Sequence, residues 1–177
     1  MPNIKRTAAA LEAFMAEKNI SMLVNYRILN RNEIESRYLT RLEQYMMTLE
    51  IEAETFLELA QTRILPAAFE YQHQLAGSIR DVLAIQPVVK VSVPQVEIGL
   101  INQLHESIAR LTEETRVLKD LLAKAHKIIN LPERAHFFAD HIADQIETAR
   151  QPADELEMLI ADDLWPLPKY SEILFNI

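Results

Sequence analysis

An eleven-residue repeat of apolar and small residues constrains this chain more than any other feature of its sequence. Between residues 34 and 82 these residues recur in steps of 4, 4 and 3, which corresponds to about 3.67 residues per turn. This spacing keeps one apolar stripe on one face of a nearly straight α-helix, whereas a seven-residue repeat would require a left-handed supercoil. Pro66 lies inside the stripe and removes one backbone hydrogen bond, but the repeat keeps its phase across it. The sequence therefore predicts one very long helix over residues 30–85, kinked near Pro66.

Two further apolar patterns predict two more long helices. Apolar residues alternate steps of 3 and 4 from Ile101 to Ile129, and another apolar face extends from Ala135 to Ile160. Because so few residues separate the two patterns, we expect the two helices to be antiparallel neighbours. Pro152 predicts either a kink or a fresh start in the third helix.

Cap residues mark the predicted helix starts. Thr7 and Asn19 are predicted to cap two short N-terminal helices, because both side chains can accept hydrogen bonds from the free N–H groups of a first turn. Asn30, with Glu33 three residues later, resembles a capping box at the start of the long helix.

These elements predict an all-α fold in a single domain over residues 1–177. The fold is a bundle of three long helices, of which the first is very long and kinked near Pro66, with two short N-terminal helices and an extended C-terminal tail. The predicted parts are the short N-terminal helices (1–29), the long helix (30–85), an extended linker (86–95), the antiparallel helix pair (96–163) and the extended tail (164–177).

Composition narrows the classes of function. The net charge is −8 and the 18 basic residues are scattered among acidic ones, which argues against a nucleic-acid partner, because that affinity depends on Lys and Arg neutralising phosphates. The chain has no cysteine, so disulfide and thiolate chemistry are excluded. No apolar run approaches the roughly 18 residues of a membrane span, and the N-terminus lacks the pattern of a secretory signal. We therefore expect a cytoplasmic protein without a membrane partner.

Two Glu-x-x-His sets are the strongest indication of an enzyme. Glu70 with His73, and Glu133 with His136, have the spacing by which di-iron four-helix proteins present metal ligands to a bundle core. However, His73 lies about 200° around the helix from the predicted core residue Tyr71, and the same argument turns Glu133 outward. We therefore predict no catalytic, cofactor or metal site in this chain, and a metal-dependent oxidase is only an alternative.

Two apolar segments are predicted to serve contacts. The second and third helices are too short to cover the whole of the first, so the front half of its stripe, residues 38–56, needs other cover. The short N-terminal helices, the tail, another subunit or another domain could supply it. The tail should pack against this chain's own helices or against a partner, because its prolines fix an extended backbone between large apolar side chains. The candidate interaction residues are Tyr38, Leu42, Tyr45, Leu49, Phe56, Trp165, Tyr170 and Phe175.

Several motifs, in their order along the chain, resemble the C-terminal region of type III glutamine synthetases. They include Ser36-Arg37-Tyr38, Ile64-Leu65-Pro66-Ala67 and the ending that begins Trp165-Pro166-Leu167-Pro168-Lys169-Tyr170. The resemblance implies a parent enzyme of glutamine biosynthesis that joins ammonia to glutamate at the expense of ATP, with Mg or Mn, in stacked hexameric rings. It also implies that the ATP, metal and glutamate ligands lie in a preceding β-rich catalytic region, so no catalytic residue carries over to this chain.

The leading hypothesis is a non-catalytic C-terminal helical domain that serves the structure, assembly or regulation of such an enzyme. Its partners would be the catalytic region of the parent enzyme, further copies in a homo-oligomer, or both. The alternative is a stand-alone helical dimerisation or interaction protein. The residues leave open whether the chain is a segment of an enzyme or a separately encoded protein.

Overall fold

The computed structural model describes residues 6–89, 92–169 and 172–173, and the regular elements in them are helical. The elements are α1 (Thr7–Glu12), a 3₁₀ turn (Ala13–Met15), α2 (Glu17–Asn25), α3 (Arg31–Leu59), a π turn (Ala60–Ile64), α4 (Leu65–Val89), α5 (Gln95–Ala125), α6 (Leu131–Phe137), a second π turn (Phe138–Ile142) and α7 (Ala143–Leu159). Two short helices thus precede three long helical segments, 31–89, 95–125 and 131–159. The predicted all-α fold is confirmed.

Two long segments begin at asparagine caps. The Glu33 N–H donates to Asn30 Oδ1 at 2.9 Å, while Glu33 Oε2 accepts from the Asn30 N–H at 2.8 Å, so the predicted capping box is confirmed. Asn130 caps α6 by accepting from the Glu133 N–H at 3.0 Å. In both cases a local side-chain bond satisfies an N–H group that the helix itself cannot pair.

The predicted caps at Thr7 and Asn19 are wrong. Thr7 is already the first residue of α1, whose N-cap is Arg6 with extended backbone and no side-chain cap bond. Asn19 lies inside α2, which begins at Glu17, and its Nδ2 donates to the carbonyl oxygen of Ala13 at 2.6 Å. Asn19 therefore joins α2 to the preceding 3₁₀ turn, where a carbonyl at a helix end needs a donor.

The helices accommodate Pro66 and Pro152 without ending. The π turn Ala60–Ile64 ends two residues before Pro66. It includes Thr62, whose carbonyl the proline cannot pair with because it has no N–H, so the local departure from α-helical hydrogen bonding lies where that bond is missing. A π turn is a recognised cause of helix kinks, although the kink itself stays a prediction. Pro152 lies within α7 and is buried, so the alternative of a fresh start at this residue is wrong.

The predicted extended linker over residues 86–95 is wrong at both of its ends. α4 continues through Pro87 to Val89, and α5 begins at Gln95. Pro87 removes the hydrogen bond to the carbonyl of Leu83, but both residues are exposed, so water can pair with that carbonyl. Residues 92–94 are non-helical, and residues 90–91 lie outside the described residues.

The internal contacts divide the chain into two compact units. Unit 1 consists of Met1–Thr55 and Arg116–Thr148, and unit 2 of Phe56–Thr115 and Ala149–Ile177. The larger buried side chains of unit 1 are Ile20, Ile34, Tyr38, Leu42, Met46, Leu118, Leu122, Phe138, Ile142 and Ile146. The buried cluster of unit 2 consists of Ala60, Ile64, Ala68, Leu104, Ile108, Leu111, Ala153, Leu156 and Ile160. That the chain is a single domain stays a prediction.

The apolar periodicities locate most of these buried positions. Each predicted inner residue between Ala135 and Ile160 is buried, and the predicted face of α5 is buried from Leu104 to Ala125. Ile129, by contrast, is 98% exposed because α5 ends at Ala125. After the first π turn the buried residue is Ala68, whereas the repeat predicted its neighbour.

Candidate interaction surfaces

The front half of the α3 stripe is largely covered within unit 1. Tyr38 and Leu42 are buried, and Tyr45 and Leu49 are half-buried. Burial raises the pKa of Tyr38, and the nearby charge of Glu12 on α1 raises it further. This part of the stripe is therefore covered by residues of unit 1, and the charge of Glu12 places α1 near Tyr38. That these residues take part in contacts with a partner stays a prediction.

Ionic contacts attach α1 to the other helices of unit 1. Arg6 Nη2 donates to Asp144 Oδ2 at 2.6 Å, and Arg6 Nε lies 3.8 Å from Asp140 Oδ1. The hydrogen bond from Arg6 lowers the pKa of Asp144, and burial raises the pKa of Tyr45 beside these charges. These long-range pairs carry no periodic signal, so the sequence pattern did not reveal them.

The Glu-x-x-His sets lie on the surfaces of α4 and α6. Glu70, His73 and Glu133 are exposed, as the phase argument predicted. His136 is half-buried because its Nε2 lies 2.7 Å from Glu12 Oε1 on α1. Within the described residues, no group of three or more His, Cys, Asp or Glu side chains is placed to hold a metal ion.

Unit 1 has a shallow depression of about 250 Å³. Its apolar lining includes Met46 and Phe138, which are buried. At its edge, His126 Nε2 lies 2.5 Å from Glu50 Oε1. The remaining lining residues are Glu43, Met47 and Arg134. The pair attaches the end of α5 to α3, and charges of both signs surround an apolar floor. Its lining contains no Ser, Thr, Cys or Lys side chain.

Unit 2 contains a second polar group, centred on Glu155 of α7. Its carboxylate accepts hydrogen bonds from Arg110 Nη1 at 2.8 Å and from Ser107 Oγ at 2.9 Å. The bond from Arg110, and then that from Ser107, lowers the pKa of Glu155. A carboxylate stabilised in this way is a weak base, so it does not activate Ser107 as a nucleophile. The contacts attach α5 to α7.

The tail packs on its own unit at the residues that the structure describes. Trp165 is half-buried and, with Leu164 and Leu167, contacts the buried cluster of unit 2, as does Phe56. Trp165 Nε1 is buried and has no acceptor among the described residues. These contacts agree with the alternative in which the tail docks on this chain. Tyr170 and Phe175 lie outside the described residues.

The sequence predicted that the apolar stripe at residues 38–56 needs other cover, but the structure exposes a different apolar segment. Large apolar side chains between Leu83 and Val96 are exposed at the end of α4 and the start of α5. The sequence signal that could have found them is the near absence of charge in residues 82–96, where Lys90 is the only charged residue. In the part of the chain that the structure describes, no helix combines the length and the apolar character of a membrane span.

Comparison with known proteins finds similarity to glutamine synthetases along nearly the whole chain. A family model described as the glutamine synthetase C-terminal domain matches residues 1–83. The chain is 32% identical over 176 residues to the type-3 glutamine synthetase of Dictyostelium discoideum and 28% identical over 179 residues to a glutamine synthetase of Bacteroides fragilis (strain YCH46). A glutamine synthetase of Butyrivibrio fibrisolvens is 23% identical over 177 residues.

These alignments cover 99% to 100% of this chain and 24% to 25% of each relative. The chain thus spans about a quarter of the length of the relatives that it matches. The resemblance inferred from the motifs is confirmed: residues 1–83 match the glutamine synthetase C-terminal domain, and nearly the whole chain aligns with the type-3 glutamine synthetase of Dictyostelium discoideum.

Proposed function

We propose that this chain is the non-catalytic helical C-terminal domain of a type III glutamine synthetase and that it serves the folding, assembly or regulation of that enzyme. The observation that carries the proposal is the alignment of nearly the whole chain with about a quarter of three glutamine synthetases. The reaction of the whole enzyme would be ATP-dependent ligation of ammonia to glutamate, with Mg or Mn. Its catalytic ligands would lie outside this chain.

The contacts that the charged side chains make between helices support a structural role for this chain. Arg6, at the start of α1, pairs with Asp144 of α7, and Glu12, at its end, contacts His136 of α6. In unit 2, Arg110 with Glu155 connects α5 to α7. Each pair joins residues far apart in sequence. Such pairs fix the positions of helices, and a carboxylate held by an arginine is a poor general base.

The proposal can be tested on the Bacteroides fragilis relative. Three proteins are compared: the full-length enzyme, a form lacking the segment that aligns with this chain, and a chimera in which this chain replaces that segment. Particle mass is measured by sedimentation velocity, and activity by ADP release that depends on both glutamate and ammonia. We expect the shortened form to lose particle mass and activity together, and the chimera to regain both.

Two results would contradict the proposal. A shortened form with the mass and the rate of the full-length enzyme would contradict a role in assembly or regulation. Glutamine formation by the 177-residue chain alone would contradict its non-catalytic assignment. The alternative of a stand-alone interaction protein predicts that the chimera restores nothing although the isolated chain is folded by circular dichroism.

A further inference from the structure

The depression in unit 1 is lined by two charged side chains that have no partner. It has a volume of about 250 Å³, and the buried side chains of Met46 and Phe138 form its apolar floor. Glu43 and Arg134 also line it. Among the residues that the structure describes, neither of these two side chains makes an ion pair or a hydrogen bond. One carboxylate and one guanidinium therefore border the same small space and are both available to a ligand.

The two signs of charge reach the depression from different helices. Glu43 and Glu50 are seven residues apart on α3, which places them on one face, two turns or about 10 Å apart, with Met46 and Met47 between them. Arg134 belongs to α6. The α3 wall is thus acidic with an apolar centre, and the α6 wall supplies a cation.

These charges narrow the class of ligand. Glu43 and Glu50 oppose a phosphate or a dicarboxylate, and Arg134 opposes a metal cation. Glu50 is already paired with His126, whose Nε2 lies 2.5 Å from its Oε1, so Glu43 is the carboxylate left for a ligand cation. A ligand with one charge of each sign on neighbouring atoms avoids these repulsions, and its carboxylate can accept two parallel hydrogen bonds from an arginine.

We propose that the depression in unit 1 binds a free α-amino acid with an apolar side chain. The ligand carboxylate binds Arg134, the ligand ammonium donates to Glu43, and the ligand side chain packs on Met46 and Phe138. A few polar groups that fix orientation above an apolar surface are the usual composition of a small-ligand site. This inference does not depend on the proposed function, because it concerns a site within unit 1 of the 177-residue chain by itself.

NMR of the full chain with carbon-13-labelled methionine methyl groups tests the proposal. The probes are L-leucine, L-methionine and L-phenylalanine. We expect saturable shifts of the Met46 and Met47 methyl signals with a Kd on the order of 1 mM. The signal of Met158, which is 86% exposed in unit 2, should not move. N-acetyl-L-leucine lacks the ammonium and L-leucinamide lacks the carboxylate, so each should bind at least about tenfold more weakly than L-leucine.

Variants at the two unpaired charges identify the groups that bind. Arg134→Gln and Glu43→Gln should each weaken L-leucine binding by at least about tenfold. N-acetyl-L-leucine should bind Glu43→Gln at least as well as the wild type, because it has no ammonium for Glu43 to accept from. Arg37→Gln and Glu52→Gln are the matched controls, since both residues are exposed on α3 and do not line the depression. They should leave binding unchanged, and circular dichroism and thermal melting should be the same for all four variants.

Three results would overturn the proposal. The first is that none of the three amino acids shifts the Met46 and Met47 signals. The second is a shift of equal size at Met158, which would indicate non-specific contact with exposed methionines. The third is binding that neither Arg134→Gln nor Glu43→Gln weakens, or that the control variants weaken equally.

Discussion

Leu156→Ala tests whether the buried cluster of unit 2 stabilises the fold as its packing implies. Leu156 is fully buried on α7 and belongs to the cluster formed with residues of the first π turn, α4 and α5. The substitution removes three carbon atoms, which corresponds to about 2.4 kcal/mol of lost transfer free energy. The cavity left between three helical segments raises the expected loss of unfolding free energy to about 3–4 kcal/mol.

The assay uses a reporter already present in the chain. Trp165 is the only tryptophan in the sequence and contacts the same cluster, so its fluorescence follows the unfolding of unit 2 in urea. A loss of 3 kcal/mol should lower the urea midpoint by about 1–2 M. If the chain is a single cooperative domain, far-UV circular dichroism should give the same midpoint as Trp165 fluorescence.

Met158→Ala is the matched control for this prediction. Met158 lies two residues further along α7 and is 86% exposed, so the same kind of truncation should change the unfolding free energy by less than about 0.5 kcal/mol. Equal midpoints for Leu156→Ala and the wild type would refute the assignment of Leu156 to the core. A large effect of Met158→Ala would show that the described burial does not decide these energies.

Three further predictions concern a turn, a cap and a carboxylate. Arg27 ends α2 with a φ of 53°, so Arg27→Gly should stabilise the chain by about 0.5–1 kcal/mol in thermal melting, whereas Arg27→Ala should not. Asn30→Ala should cost about 1 kcal/mol and Asn30→Ser much less, because serine can still accept the bond to the first turn; equal losses would refute the cap. Arg110→Ala should raise the pKa of Glu155, measured by NMR, more than Ser107→Ala does. Because this pKa is lowered in the folded state, the stability that the Arg110 bond provides should be present above the ordinary value of 4.5 and lost as the pH falls through the folded-state pKa; an advantage that persists in acid would contradict the assignment.

The candidate surfaces were less predictable than the helices. Phe56 and Trp165 both contact the buried cluster of unit 2, but nothing in their spacing placed them on the same cluster. Tyr38 and Leu42 belong to a stripe that the helix lengths alone predict to be longer than its cover, yet both are buried. The length of a helix does not determine at which residue of a longer helix it begins to pack. Exposed large apolar side chains lie instead at the end of α4 and the start of α5, between Leu83 and Val96.

The sequence by itself determined the helices and the faces that they bury. Both are local properties, since the apolar period follows from the number of residues per turn and the cap at Asn30 from a side chain three residues from its partner. The tertiary structure decided which part of each face is covered, how the π turn accommodates Pro66, and that Arg6 reaches Asp144. These depend on contacts between residues far apart in the chain, on which a local pattern carries no information. The exposed side chains of Leu83, Val88 and Val96 are such a case, because the sequence shows that they are apolar but not that they are exposed.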